Sequence, residues 1–132
     1  MLVLDASISA PWFLPDEDDS SSHAAARQVE TEGAVVPAIW MYEIRNVLLI
    51  AERRGRLTSA DVLLALEGLE KLPLTIDVDP DYPATYLLAT RHSLSFYDAA
   101  YLELAQRSGG VLATLDRRLG RAVEAEGLRR FI

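Results

Sequence analysis

Apolar residues in this chain occur in two patterns, short continuous runs and longer segments with a repeat of three to four positions. The runs predict buried strands at residues 1–5, 34–36, 74–76, 111–115 and 130–132. The sequence predicts a short helix through residues 12–13, a helix that residues 20–22 lead into, and further helices within residues 37–54, 59–72, 81–93, 96–108 and 117–126. Strands that alternate with helices indicate an α/β fold, with a parallel central sheet of about five short strands flanked by helices on both faces.

Helix boundaries have their own sequence signals. Thr58 followed by Asp61 predicts a capping box at the start of one helix, and Ser95 followed by Asp98 predicts another. Gly55 is expected to end the helix that precedes Thr58. A chain of 132 residues has the commonest domain size, so we expect residues 1–132 to form a single domain.

Two aspartates follow predicted strands. Asp5 ends the first apolar run and Asp116 ends the run that begins at Val111. Open parallel sheets bind ligands beyond the carboxyl ends of their strands, so the two carboxylates could face one crevice. Aspartate is also a favoured N-cap residue, so either one could instead cap the helix that follows it.

Glu43 lies where an apolar residue is expected. Its spacing places it on the stripe formed by Trp40, Ile44 and Leu48, whereas a solvated glutamate belongs on the opposite face. A buried carboxylate needs a partner, a proton or a metal ion. Asn46 shares this flank of the helix and could hydrogen-bond a carboxylate or a water molecule. The alternative is a glutamate at the rim of the stripe, exposed or paired with an arginine.

Asp98 falls in the first turn of a predicted helix, between Tyr97 and Tyr101. This position suits a capping role, and it also suits a place at the mouth of a crevice. The two roles are compatible.

Four segments carry the acidic residues and their surroundings: residues 4–7, 37–49, 97–101 and 112–116. In this order they resemble the PIN-domain ribonucleases, and most closely the toxin half of the VapBC toxin–antitoxin pairs. The resemblance implies a catalytic site of Asp5, Glu43, Asp98 and Asp116. It also implies Ser7, Asn46 and Thr114 as supporting polar groups. One departure is that Arg117 and Arg118 follow Asp116, where some relatives offer a further acid or amide, which puts a second metal site in doubt.

The same resemblance implies a metal-dependent endoribonuclease that acts as a toxin and is inhibited by a cognate VapB-like antitoxin. Asp5, Asp98 and Asp116 would be metal ligands, and Glu43 a ligand or a base that positions water. All-oxygen ligands select Mg²⁺ or Mn²⁺. The implied substrate is RNA, cut in a single-stranded loop.

The charge of the chain bears on RNA binding. The net charge is -7, but residues 1–81 carry 15 acidic and 6 basic residues, whereas residues 82–132 carry 5 and 7. Twelve of the 13 basic residues are arginine, which suits phosphate contacts and is also common in GC-rich genomes. Two arginine clusters could contact phosphates: Arg117, Arg118 and Arg121, and the segment 53–56. The alternative is that both clusters are solvated helix ends.

Hydrophobic residues make up 50% of the chain, which is rich for a small monomer and favours a homodimer or another partner. No apolar run approaches the roughly 18 residues that span a bilayer, so we expect no membrane association and a cytoplasmic location. The absence of cysteine excludes disulfides. His23 and His92 are too few for a zinc centre, and we expect both on the surface.

Two other functions stay open at this stage. A PIN-like fold that has lost activity would serve as a binding module, although all four acids are present. A haloacid-dehalogenase-like phosphatase also begins with a strand that ends in aspartate. That family usually has a second aspartate where this chain has Ser7, and it needs a lysine, of which Lys71 is the single example.

Overall fold

The structure is a computed structural model that describes residues 1–131, and its centre is a five-stranded sheet. The strands are β1 (Leu2–Leu4), β2 (Ala34–Pro37), β3 (Leu74–Asp77), β4 (Val111–Ala113) and β5 (Arg129–Arg130). Their order is β3-β2-β1-β4-β5, and every neighbouring pair is parallel. The predicted fold class and strand number are therefore confirmed.

Within residues 1–131, seven α-helices surround the sheet. They are α1 (Ala6–Ser9), α2 (Ser20–Glu32), α3 (Ala38–Arg53), α4 (Ser59–Lys71), α5 (Tyr82–His92), α6 (Phe96–Ser108) and α7 (Arg117–Ala125), with a 3-10 turn at Ala10–Trp12. Connections between neighbouring parallel strands are right-handed. The chain adds β2 and β3 on one side of β1, and then β4 and β5 on its other side. The helices before β3 and those after it therefore cover opposite faces of the sheet. The last strand differs from the expectation. β5 is Arg129–Arg130, Phe131 follows it, and Ile132 lies outside the described residues.

The helix caps explain several boundaries. Thr58 and Asp61 form the predicted capping box with both reciprocal hydrogen bonds, of 3.1 and 2.9 Å. At α6 the Ser95 hydroxyl accepts from the Asp98 backbone N–H, at 3.0 Å. Within the described chain, the Asp98 carboxylate accepts no return bond from the Ser95 backbone N–H, so this capping box is half formed.

The core is centred on β1, where Leu2, Val3 and Leu4 are almost completely buried. Trp40 of α3 is fully buried and donates from its indole N–H to the Ser9 hydroxyl, at 3.1 Å. The hydroxyl gives the indole a partner, so a large amphipathic ring can be buried without an unsatisfied donor. This contact holds α3 against α1.

The strand order reverses between β1 and β4, which are paired in register from Leu2 with Val111 to Leu4 with Ala113. At such a reversal the connections leave in opposite directions and open a crevice beyond the carboxyl ends of the two strands. Asp5 follows β1 directly, and Thr114 follows β4. The topology therefore brings the two ends of the sequence to one crevice.

None of the helices within residues 1–131 combines the length and the apolar character needed to cross a bilayer.

Candidate active site

Asp5 lies at the base of the crevice and is only 5% exposed. It occupies the N-cap position of α1, but its side chain makes no capping hydrogen bond to that helix. Instead the Ser7 hydroxyl donates to Oδ2 at 2.6 Å and the Thr114 hydroxyl donates to the same oxygen at 2.7 Å. The capping interpretation is therefore wrong for Asp5.

Backbone groups orient the two hydroxyls. The Leu115 N–H donates to the Ser7 hydroxyl at 2.9 Å, and the Asp116 N–H donates to the Thr114 hydroxyl at 3.0 Å. A hydroxyl has one proton to give, and accepting from the backbone turns that proton toward Asp5. Because both protons go to Oδ2, Oδ1 receives no side-chain hydrogen bond from residues 1–131 and is the oxygen left for a ligand.

Burial raises the pKa of the Asp5 carboxyl above its ordinary value. The hydrogen bonds from Ser7 and Thr114 oppose this rise, and the negative charge of Asp98 adds to it. The ionised form is thus held by two donors in a site that disfavours a bare charge.

Glu43 extends from α3 toward the crevice and is half-buried, as the apolar stripe predicts. Its Oε1 accepts a hydrogen bond of 2.5 Å from the hydroxyl of Tyr101, a fully buried side chain of α6. Burial raises the pKa of Glu43, the Tyr101 bond opposes that rise, and the charges of Asp5 and Asp98 reinforce it. The pKa of the Tyr101 hydroxyl is raised strongly by burial and by its bond to Glu43, so this hydroxyl stays a donor.

Asp98 lies in the first turn of α6 with its carboxylate partly buried. Partial burial and the charge of Asp116 raise its pKa, whereas the Ser95 hydrogen bond and the positive charge of Arg118 lower it. Asp98 therefore lies within electrostatic range of one neighbouring acid and one neighbouring base.

Asp116 is exposed, and its Oδ1 accepts from the Leu119 N–H at 2.9 Å, which caps α7. The capping interpretation is thus correct for Asp116. It does not exclude a role in the site, because the Asp116 charge is felt by Asp98.

The pKa values of Asp5, Glu43 and Asp98 are each raised in part by the charge of another of the four acids, so the cluster repels itself. A proton or a cation relieves such repulsion. Among residues 1–131, no three His, Cys, Asp or Glu side chains are arranged to hold a metal ion directly. The oxygen donors suit Mg²⁺ or Mn²⁺, and Mg²⁺ often binds through one or two carboxylates while it keeps several waters.

Of the predicted supporting residues, Ser7 and Thr114 join the Asp5 network but Asn46 does not. Asn46 is exposed one helical turn beyond Glu43, in a shallow groove that Tyr42, Arg45 and Leu49 also line. It makes no side-chain hydrogen bond among the described residues.

The two predicted arginine clusters have different surroundings. Arg117, Arg118 and Arg121 are exposed on α7, and Arg118 is close enough to Asp98 to lower its pKa. In the other cluster, Arg56 is held by Asp16 and Glu17 at 2.8 and 2.7 Å, and is not free for a phosphate.

Two features of the site region were missed or wrong in the sequence prediction. The sequence marks Tyr101 only as an aromatic residue that flanks Asp98, although its position one turn after Asp98 places both side chains on one helix face. His92 was expected on the surface, but its side chain is only 13% exposed and its Nε2 lies 2.7 Å from Glu126. Glu126 also accepts from Arg91 and Gln106.

Comparisons with known proteins address the family of this fold and site. The family model described as the PIN domain matches residues 2–125. Ribonuclease VapC3 of Pyrobaculum aerophilum is 34% identical over 121 residues, which cover 89% of this chain and 91% of the relative. Ribonuclease VapC3 of Mycobacterium tuberculosis is 37% identical over 125 residues, covering 92% and 86%.

A solved structure agrees with these sequence matches. PAE2754 from Pyrobaculum aerophilum superposes with a TM-score of 0.69 at 29% identity, covering 92% of this chain and 84% of the other. The chain therefore belongs to the PIN domain family, among the VapC ribonucleases. This confirms the family resemblance and leaves no support for the haloacid-dehalogenase alternative.

Proposed function

We propose that this protein is a metal-dependent endoribonuclease that acts as the toxin of a VapBC-type pair. The observation that carries the proposal is the Asp5 carboxylate, buried at the β1–β4 crevice and held through one oxygen by Ser7 and Thr114. A helix cap needs no such arrangement. Relatives that match most of the chain are named ribonucleases, which supports the same activity here.

The proposed cofactor is Mg²⁺ or Mn²⁺, held by Asp5, Asp98 and Asp116 directly or through water. Their oxygen donors fit either ion, and the free Oδ1 of Asp5 offers one ligand position. When bound, the ion would orient and activate a water for in-line attack on a phosphodiester and stabilise charge on the phosphorus oxygens.

Ser7 and Thr114 would fix the direction of the Asp5 carboxylate. A hydroxyl that donates to a metal ligand sets its orientation, and the loss of such partners commonly costs tenfold to a hundredfold in metal affinity. Because both hydroxyls are themselves held by backbone N–H groups, the direction of Asp5 follows from the turn after β4.

Glu43 would take or hold the proton of the attacking water. Tyr101 occupies its Oε1, so Oε2, which has no hydrogen bond from residues 1–131, is the oxygen that can meet water. A base works best when its pKa lies near the working pH, and the raised pKa of Glu43 moves it in that direction.

The proposed substrate is single-stranded RNA within a structured molecule, whose loop bases can be splayed out. Arg117, Arg118 and Arg121 would bind its phosphates. Arginine pairs with phosphate through two parallel N–H donors, which positions the backbone as well as attracting it.

The proposed inhibitor is a small VapB-like antitoxin that covers the groove along α3. Tyr42 and Leu49 are exposed there beside Glu43, and Leu63 and Leu64 are exposed on the neighbouring helix α4. An arginine of the inhibitor would pair with the carboxylates of the site.

A homodimer is proposed on a different surface. An apolar groove of about 380 Å³ is lined by residues that include Ile39, Ile76, Val78 and Phe96. The one acid in its lining, Asp77, is already paired with Arg107 at 2.6 Å. An uncharged apolar surface suits an interface between two identical copies, because it meets itself without charge repulsion.

The test is calorimetric titration of Mn²⁺ into the purified protein and its Asp98→Asn variant, with RNA cleavage assayed on the same samples. The proposal expects Mn²⁺ binding and cleavage by the wild type, and the loss of both in the variant. Equal binding and cleavage by the two proteins would refute the carboxylate assignment. Mn²⁺ binding without cleavage of any RNA would instead favour an inactive binding module.

A further inference from the structure

A second cleft lies between the end of α5 and α7. It has a volume of about 400 Å³ and is lined by His92 and Ser93 at the end of α5 and by Arg118, Arg121, Ala122 and Ala125 of α7. We call it the α7 cleft. Unlike the acidic crevice, its lining among the described residues contains basic side chains and no acid.

Arg118 joins the α7 cleft to the acidic site. One of its guanidinium nitrogens, Nη1, lies 3.4 Å from the backbone carbonyl of Ser93, and its charge lowers the pKa of Asp98. Arg118 therefore lines the cleft and lies within electrostatic range of an acid of the crevice.

The basic groups of the cleft are not neutralised within the described part of the chain. Neither Arg118 nor Arg121 forms an ion pair with an acid among residues 1–131. The nearby acid Glu126 is occupied by Arg91, His92 and Gln106, and these contacts hold the pKa of its carboxyl below the ordinary value. The cleft consequently offers positive charge to a polyanion that the four acids of the crevice would repel.

We propose that the α7 cleft is a phosphate subsite, which seats a backbone phosphate of the RNA next to the one that is cleaved. This proposal rests on the proposed ribonuclease function and adds how an acidic protein holds its substrate. Two guanidinium groups one helical turn apart give planar donor pairs for phosphate oxygens. The exposed hydroxyl of Ser93 is a further donor at the cleft wall.

Segment 53–56 offers a matched control, because its place at the far end of α3 fits the alternative interpretation, a solvated helix end. Arg53 is exposed and makes no ion pair among the described residues, so its charge is as available as that of Arg121. It lies ten residues beyond Glu43 on α3, or about 15 Å along the helix axis, away from the crevice.

The experiment measures the binding of a short fluorescein-labelled oligouridylate RNA by fluorescence anisotropy, in EDTA, over a series of salt concentrations. The slope of log affinity against log salt reports the number of phosphates neutralised, at about 0.7 per phosphate for single strands. Arg121→Gln should weaken binding and reduce this slope by about 0.7. Arg53→Gln should change neither quantity.

An Arg121→Gln slope equal to that of the wild type, or an equal loss in Arg53→Gln, would overturn the subsite. Undetectable RNA binding by the wild type would overturn it as well. Binding in EDTA needs neither metal nor cleavage, so the two proposals can fail separately. RNA binding as expected without any cleavage would support the subsite and refute the nuclease function. Cleavage of RNA by Arg121→Gln with an unchanged KM would support the nuclease function and refute the subsite.

Discussion

Tyr101 donates its hydroxyl proton to Glu43, and this single hydrogen bond joins α6 to α3 beside the acidic crevice. The phenol is fully buried, so its position is fixed by packing rather than by the bond itself. Glu43 has longer reach and more freedom, since its helix is exposed on that side. The bond therefore positions the carboxylate, with the tyrosine as the rigid partner.

Tyr101→Phe keeps the ring and removes the donor, so we expect the protein to fold and the RNA cleavage rate to fall. A hydrogen bond to a charged group contributes about 1.5 to 3 kcal/mol, and 1.36 kcal/mol corresponds to tenfold in rate. We expect kcat to fall by about tenfold or more and KM to stay unchanged. Steady-state kinetics on a fluorogenic RNA would measure both constants.

The control for this substitution is Tyr97→Phe, four residues earlier on the same helix, where the side chain is exposed and its hydroxyl makes no bond within residues 1–131. Its kinetics should match those of the wild type. A change in KM alone, or an equal loss of kcat in both variants, would contradict a positioning role for Tyr101.

Asp5→Asn is expected to stabilise the metal-free protein while it abolishes cleavage. The folded-state pKa of Asp5 is raised by burial, so its contribution to stability is full below the ordinary carboxyl pKa and is lost as pH rises through the folded value. The melting temperature of the variant relative to the wild type should therefore increase with pH above about 4.

Scanning calorimetry in EDTA across this pH range measures the effect. Each 1 kcal/mol gained corresponds to about 4 °C in a chain of this size. A difference in melting temperature that stays constant with pH would show that the carboxyl is not destabilised by burial.

Asp116 combines two roles, and different substitutions separate them. Asparagine can also accept from the Leu119 N–H, so Asp116→Asn should keep the stability of the protein but reduce Mn²⁺ affinity and cleavage. Asp116→Ala should lose about 1 kcal/mol of stability in addition. Urea unfolding, Mn²⁺ titration and RNA cleavage assays of both variants measure these effects. Full cleavage activity in Asp116→Asn would show that Asp116 only caps α7.

Val78→Lys tests the proposed dimer. Val78 is 88% exposed in the apolar groove, so a lysine there should change the stability of the monomer little. In a symmetric dimer the same lysine would place two like charges in the interface. Light scattering after gel filtration should show the mass fall from dimer to monomer. Leu63→Lys on α4 is the matched control and should stay dimeric; a monomeric wild type would end the proposal.

Local sequence signals predicted what lies close together along the chain. The capping box of Thr58 and Asp61 needs only a spacing of three residues, and it forms as expected. The position of Glu43 follows from the period of one helix. Asp5 and Asp116 lie beyond β1 and β4, as predicted. Their positions could be predicted because an apolar run that ends in aspartate is a signal carried by a few neighbouring residues.

Partners that are distant in sequence could not be predicted. Nothing near Glu43 indicates that its donor is Tyr101, 58 residues later, because side-chain pairing across helices is decided by packing. In the same way, nothing near Asp16 indicates that it binds Arg56, 40 residues away. His92 was misplaced for the same reason, since its burial depends on Glu126.

The hydrogen bond from Thr114 to Asp5 spans 109 positions of the chain. During synthesis the ribosome therefore releases the first acid of the site long before the hydroxyl that orients it. The central strand β1 must also wait for β4, its neighbour on one side. Until β4 and the residue after it have been made, a nascent chain has Asp5 without one of the two hydroxyls that orient it, so the site is complete only after translation has passed Thr114.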